Sequence, residues 1–181
     1  MLSRSMSKNS WAALLAVCLA LVSIAAKIPQ ETAVNPSRQI YFSPNGQIRS
    51  RIIQEINNSK NSIDIAVFHI TSYGIKSALK KALKRGVQIR IITDQGQSED
   101  IHSVIGLLME DGFAVKLLKG KGRNGLMHNK FAVFDHKILL TGSYNWTETA
   151  EHYSYENVLF LPEKPLIKEY EKEFDLLWAK A

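Results

Sequence analysis

The fold turns on one stretch, Met127 to Asn157, which reads MHNKFAVFDHKILLTGSYNWTETAEHYSYEN. Two apolar runs, roughly 127–134 and 137–141, flank Asp135-His136, the pattern of two strands joined by a tight turn. His128 and Lys130 stand two apart on the first of these strands, so both side chains point to one face. The second strand runs into Gly142-Ser143-Tyr144-Asn145-Trp146-Thr147. After Tyr155-Glu156-Asn157 a further strand is expected at 155–161, followed by a closing helix at 163–179.

Upstream of the stretch, strand and helix alternate. Ile40–Phe42 reads as a short strand stopped by Ser43-Pro44-Asn45-Gly46, and Ile48, Ile52, Ile53 and Ile56 recur at helical spacing over 46–58. A β-branched strand is expected at 62–69, a helix at 74–85 ended by Gly86, and a strand at 87–93. One helix is expected at 98–111, closed by Gly112, and a strand at 113–118. Helices alternating with apolar strands imply an α/β sheet covered on both faces, with a site gathered outside the strand ends. There is no internal repeat, so a half-site carried once must be completed by a second subunit.

The 181 residues suit one compact domain, residues 39–181, behind a distinct N-terminus. Apolar residues at 45% and charged residues at 22% exclude a disordered chain. Arg4 and Lys8 precede an uncharged run whose apolar part spans Trp11 to Ala26, with small Ser23, Ala25 and Ala26 at its end. This is the layout of a secretory signal, and 16 residues fall short of the ~20 preferred by a spanning helix. Residues 1–26 are therefore expected to be a signal peptide or, alternatively, a retained membrane anchor. The domain would lie in the periplasm or be secreted, or be tethered outside the cytoplasm. Residues 27–38, with Pro29 and Pro36, read as a linker.

Cys18, the single cysteine, lies inside the apolar run, so the remainder has no disulfide, thiol nucleophile or cysteine-ligated metal. Loss of residues 1–26 removes Arg4 and Lys8 and no acid, lowering the net charge from +6 to +4. That basic balance favours polyanions without choosing between nucleic acid and anionic lipid.

A neutral imidazole beside a fixed ammonium suits attack on a phosphodiester: Lys130 neutralises nonbridging oxygens while His128 attacks phosphorus or moves a proton. Asn145 can donate its amide hydrogens to the same oxygens. Glu156 can accept from an imidazole nitrogen and fix its tautomer. Three cations, Lys119, Lys121 and Arg123, sit on a glycine-rich loop just before His128, placed to contact substrate phosphates.

His128, Lys130 and Asp135 match the His-x-Lys-x4-Asp signature, and Gly142-Ser143, Asn145 and Glu156 follow in the order of a second block. In these residues, and from about Gln39 to Leu161, the chain resembles the phospholipase D superfamily and is most similar to its small, single-motif, secreted Nuc-type bacterial endonucleases. The resemblance implies a phospholipase D-like mixed β-sheet flanked by helices on both faces. It also implies catalysis without metal or cofactor in a homodimer whose active site is shared. One His128 would form a phosphohistidine and the other would protonate the leaving oxygen. Lys130 and Asn145 from both subunits would hold the phosphate, with Ser143 nearby. In such families the motif aspartate tends to serve structure, which ranks Asp135 below Glu156.

The expected activity is sequence-nonspecific hydrolysis of DNA, with RNA also open. A lipid phosphodiesterase acting on phospholipid or cardiolipin is the alternative, and a catalytically idle nucleic-acid-binding module the third reading. His69, His102, His136 and His152 lack metal-ligand spacing and read as ordinary; Asp94 reads as a cap or turn residue, or as lining the site mouth. Lys76, Lys80 and Lys84 form one helical stripe, read as a solvated face or a polyanion track. Tyr144 and Trp146 read as base-stacking or core residues.

Overall fold

The computed structural model describes residues 38–181. The expected signal peptide or anchor at 1–26 and the expected linker, save Arg38, lie outside the described residues. Seven strands form one sheet: β1 (Gln39–Ser43), β2 (Ser62–Val67), β3 (Gln88–Asp94), β4 (Ala114–Leu118), β5 (Lys130–Phe134), β6 (Ile138–Gly142) and β7 (Glu156–Leu161). Their spatial order is β1-β7-β6-β5-β2-β3-β4. Strands β2, β3 and β4 run parallel to one another and the remaining pairs are antiparallel, so the sheet is mixed.

The connections account for that mixture. A helix, α1 (Ile48–Asn58), follows β1, and α2 (Tyr73–Lys84) carries the chain from β2 back to a parallel β3. Between β5 and β6 the chain instead reverses at once. Asp135 and His136 both take positive φ, 51° and 57°, and Lys137 N–H closes the turn on the Phe134 carbonyl at 2.9 Å. Consecutive positive φ values match the right-handed twist of a hairpin, and short polar Asp tolerates them better than most residues.

Alternation along the central strands divides the core into two layers. On β5, Ala132 and Phe134 join the cluster holding Ile48, Ile52 and Ile56 of α1 and Ile75, Leu79 and Ala82 of α2. Phe131 and Val133 point the other way, to Ile167 and Phe174 of the C-terminal helix α6 (Lys164–Lys180). Removing an aromatic from such a layer costs about 3–5 kcal/mol. Helices thus cover both faces, as expected from the strand–helix alternation.

Two expectations need correction. The single helix at 98–111 is two short ones, α3 (Gln95–Ser98) and α4 (Ile105–Glu110). The Asp100 carboxylate accepts from His102 N–H at 2.7 Å, and Val104 N–H bonds Ile70 O at 3.1 Å, so local and tertiary partners draw the backbone out of the helical ladder. A short helix absent from the sequence reading, α5 (Glu148–His152), follows Asn145, with Thr147 as its cap accepting from Ala150 N–H at 3.1 Å. Among the described residues no helix is long and apolar enough to cross a membrane.

Candidate active site

The site is built outward from the N-terminal end of β5. Phe68, just past β2, donates its N–H to Asn129 O at 2.9 Å, extending the β2–β5 pairing beyond both strands. Its ring then lies 4.6 Å from the His128 ring and 5.0 Å from Lys130 Nζ, holding imidazole and ammonium on one face. Lys130 Nζ also donates to the His128 carbonyl at 2.9 Å. Burial pushes the Lys130 ammonium below the ordinary lysine value, and the Glu156 carboxylate acts in the opposite direction. At the end of β3, buried Asp94 caps α3 through Gly96 and Gln97 N–H with one oxygen. Its other oxygen takes Met127 N–H at 2.9 Å, fixing the backbone next to His128.

The second block arrives from β6 and β7. A Cβ at Gly142 would collide with the Asn157 carbonyl, so only glycine allows the close approach in which Ser143 N–H bonds Asn157 O at 3.1 Å. His128, Lys130, Ser143, Asn145 and Glu156 then line one open cavity of about 440 Å³, together with Gly142. Within it Glu156 does not meet the imidazole as expected; it accepts from the Ser143 hydroxyl, which itself accepts from Asn157 N–H at 3.1 Å. Strand order gives the reason: β7 is the neighbour of β6, whereas His128 precedes β5 on the far side of β6. Glu156 therefore reaches Lys130 through space and Ser143 directly. The side-chain amide oxygen of Asn145, Oδ1, is buried and unpartnered.

Asp135 belongs elsewhere. It sits past the other end of β5, roughly 16 Å along the strand by its rise per residue. There its carboxylate takes the N–H groups of Lys60, Asn61 and Ser62. Burial pushes its carboxyl up, but the three backbone donors outweigh this and hold it below the ordinary aspartate value. As the last-ranked of the motif's catalytic candidates, Asp135 is corrected to a structural role: it contacts none of the others and ties the β5–β6 turn to the start of β2.

The basic loop is a closed hairpin, with Lys119 bridged to Leu126 and Gly120 packed against Gly125. Lys119 and Lys121 line a second cavity of about 470 Å³ that shares His128 with the first and has Leu118, Leu126 and Met127 in its wall. Arg123, at the exposed tip, does not line it. Lys180 and Leu177 from the end of α6 do, a contribution with no local signal in the sequence. Phe68 was likewise unforeseen, since an aromatic at a strand end reads as core. Tyr144 and Trp146 are both buried, so neither can stack on a base, and Tyr144 donates to Glu151 at 2.7 Å. Lys76 and Lys80 pair with Asp111, which occupies part of the lysine stripe. Among the described residues no three His, Cys, Asp or Glu side chains gather closely enough to hold a metal ion.

Comparison with known proteins agrees with this arrangement. Residues 52–178 match the family model described as cardiolipin synthase, PLD-like domain. The mitochondrial cardiolipin hydrolase of Xenopus laevis is 36% identical over 131 residues, which are 72% of this chain and 61% of that protein. The Chlamydomonas reinhardtii protein of that name is 36% identical over 129 residues, 71% of this chain and 56% of the relative. The chain thus spans less than two thirds of these curated relatives. Among solved structures, NucT from Helicobacter pylori superposes with a TM-score of 0.73 at 28% identity, covering 79% of this chain and 96% of NucT. Nuc from Salmonella typhimurium, a phospholipase D family member, gives 0.71 at 26% identity over 79% of this chain and 94% of Nuc. Motif, sheet and matches together show that the chain belongs to the phospholipase D superfamily and carries its PLD-like phosphodiesterase domain.

Proposed function

We propose that the chain is a metal-independent endonuclease that hydrolyses DNA, and RNA as a further substrate, without sequence preference, acting as a homodimer outside the cytoplasm. The observation that carries this reading is the pair of cavities meeting at His128. One holds the Lys130–Asn145 phosphate clamp, and the other carries Lys119, Lys121 and Lys180 where an adjoining phosphate of a strand would run. Likeness to Nuc and NucT over nearly their whole length supports the same choice.

An imidazole nitrogen of His128 attacks phosphorus, forming an N–P bond as the bond to the leaving oxygen breaks. The His128 of a second copy gives that oxygen a proton. It then takes one from the water that attacks phosphorus and releases the histidine. Lys130 and Asn145 meet the charge on the nonbridging oxygens. One copy supplies one imidazole, so the cycle requires two. The edge beside Glu156 suits docking of a second copy, because Phe42, Tyr153 and Tyr155 are exposed there. Residues 1–26 serve as the export signal or as an uncleaved tether.

A second reading, hydrolysis of cardiolipin or another phospholipid, has its own support. The curated relatives carry that activity in their names, and the apolar wall of the lysine cavity, Leu118, Leu126, Met127 and Leu177, suits an acyl chain beside a phosphate. Residues 27–181 incubated in excess EDTA with plasmid DNA, RNA and cardiolipin vesicles separate the two, with His128→Ala as control. Nicking of plasmid is the expected result. Headgroup release from vesicles with intact nucleic acid would transfer the function to lipid. Activity abolished by EDTA and restored by a divalent ion would overturn the mechanism.

A further inference from the structure

His69 read as an ordinary histidine in the sequence, yet the structure sets it beside the phosphate clamp. Ile70 and Trp146 form a parallel bridge, with Trp146 N–H on His69 O at 3.1 Å and Thr71 N–H on Trp146 O at 3.0 Å. Both bridged side chains are fully buried in the same core cluster. In that register the preceding residues, His69 and Asn145, are lateral neighbours on the two short segments joined by the bridge, and alternation places their side chains away from Ile70 and Trp146. Both line a third cavity of about 630 Å³, which also reaches Glu156.

Two buried polar atoms on this face have no partner: His69 Nε2 and Asn145 Oδ1. Their chemistries are complementary, one nitrogen that can carry a proton and one oxygen that can only accept. A buried unsatisfied pair is costly; no hydrogen bond joins the two atoms as they stand, and closing the gap, directly or through one water that accepts from Nε2, would satisfy both at once. Trp146 Nε1 is also unpartnered, but alternation sends its ring into the core on the other side. Burial holds the His69 imidazole below the ordinary histidine value, with the Asp100 carboxylate opposing, so the ring is neutral at pH 7 and one nitrogen bears the hydrogen.

We infer that His69 is a positioning residue for Asn145: its Nε2–H holds the amide oxygen, turning the amide NH2 outward to the phosphate on His128 and Lys130. An amide turned the other way would present an oxygen to a phosphate oxygen and repel it. His69 thus fixes which end of Asn145 the substrate meets. The inference rests on the phosphodiesterase reading of the site for its consequence in catalysis, but its geometry can be tested without turnover.

The first test is nitrogen NMR of the full chain labelled on histidine. The expected spectrum shows His69 as the neutral Nε2–H tautomer at pH 7, whereas an Nδ1–H tautomer or an imidazolium would overturn the inference. The second is kinetic. His69→Phe keeps the ring shape without the donor and should lower kcat by about tenfold or more, less than loss of a direct transition-state donor. His69→Gln, which restores an N–H, should recover much of it. In an Asn145→Ala background His69→Phe should have almost no further effect, because its target is gone. Independent, multiplying losses, or no rescue by glutamine with the melting temperature unchanged, would assign His69 a merely structural role. An inactive wild type would remove the functional reading and leave the tautomer to decide the geometry.

Discussion

The two ends of β5 carry the two halves of one motif and do different work. At the N-terminal end His128 and Lys130 line an open cavity, and their fixed contacts run through Phe68 and the backbone, leaving the imidazole free. At the C-terminal end Asp135 spends its carboxylate on three backbone N–H groups and faces no reacting group. Both ends are polar residues in a row of apolar ones, and only partnering separates them. A polar side chain whose hydrogen bonds are all met by the fold is architecture, while one left open toward solvent is available for chemistry. On the proposed function, the motif ties a reactive end to an anchor by the shortest route, a single strand.

That contrast can be broken by substitution. His128→Ala should lower kcat by about 10⁴-fold or more, beyond the ~10²–10⁴ that proton transfer alone contributes, since both covalent and acid steps are lost. Circular dichroism and melting temperature should stay unchanged, because the imidazole holds no part of the fold. Lys130→Met should cost roughly 10²–10³-fold in kcat, the range for one electrostatic donor at a developing anion, with folding again intact. A stability loss larger than the activity loss in either variant would erase the distinction between the two ends.

Asp135→Asn should behave the opposite way. Turnover at low temperature should be near wild type while stability at pH 7 falls by about 1–2 kcal/mol, a range set by charged hydrogen bonds at a partly exposed site. The pH dependence follows from its depressed pKa. A carboxyl whose folded value lies below its unfolded value of about 3.9 stabilises the fold above that unfolded value, and loses the effect as pH falls through the folded one. Denaturant titrations of wild type and variant should therefore converge in acid and diverge toward neutrality. A gap that widened in acid would contradict the assignment. The smallest effect belongs to the lysine cavity. Lys180→Ala should weaken substrate binding modestly and reduce the slope of log affinity against log salt by about 0.7–0.9 if it meets one phosphate. An unchanged slope would remove Lys180 from the substrate track.

Much of this was legible in the sequence because its signals are local. The period-2 spacing of His128 and Lys130, the glycine at 142 and the isoleucines at 48, 52 and 56 each declare their role within a few residues. The parts that were not legible depend on pairings between distant segments. Phe68 becomes a site residue only because β2 lies beside β5, and Lys180 only because α6 ends over the loop that holds Lys119. Glu156 bonds Ser143 rather than the imidazole expected of it, since sequence order does not reveal that β6 separates β7 from β5. Ile101, Val104, Ile105 and Leu108 have helical spacing, yet Ile101 is 92% exposed because the Asp100 cap and the Val104–Ile70 bond break the helix. Competition from such side-chain and tertiary bonds is invisible to hydrophobic periodicity.

The central proposal is that His128, free just ahead of β5, is the nucleophile. It is tested most directly by mixing enzyme in excess with oligonucleotide radiolabelled at the scissile phosphate, in EDTA, and quenching in alkaline denaturant, where a phosphohistidine bond survives. Label should appear transiently on the wild-type protein, map to the peptide containing His128, and be absent from His128→Ala. Turnover by the wild type with no protein-bound label at any time, or label retained by His128→Ala, would contradict the account.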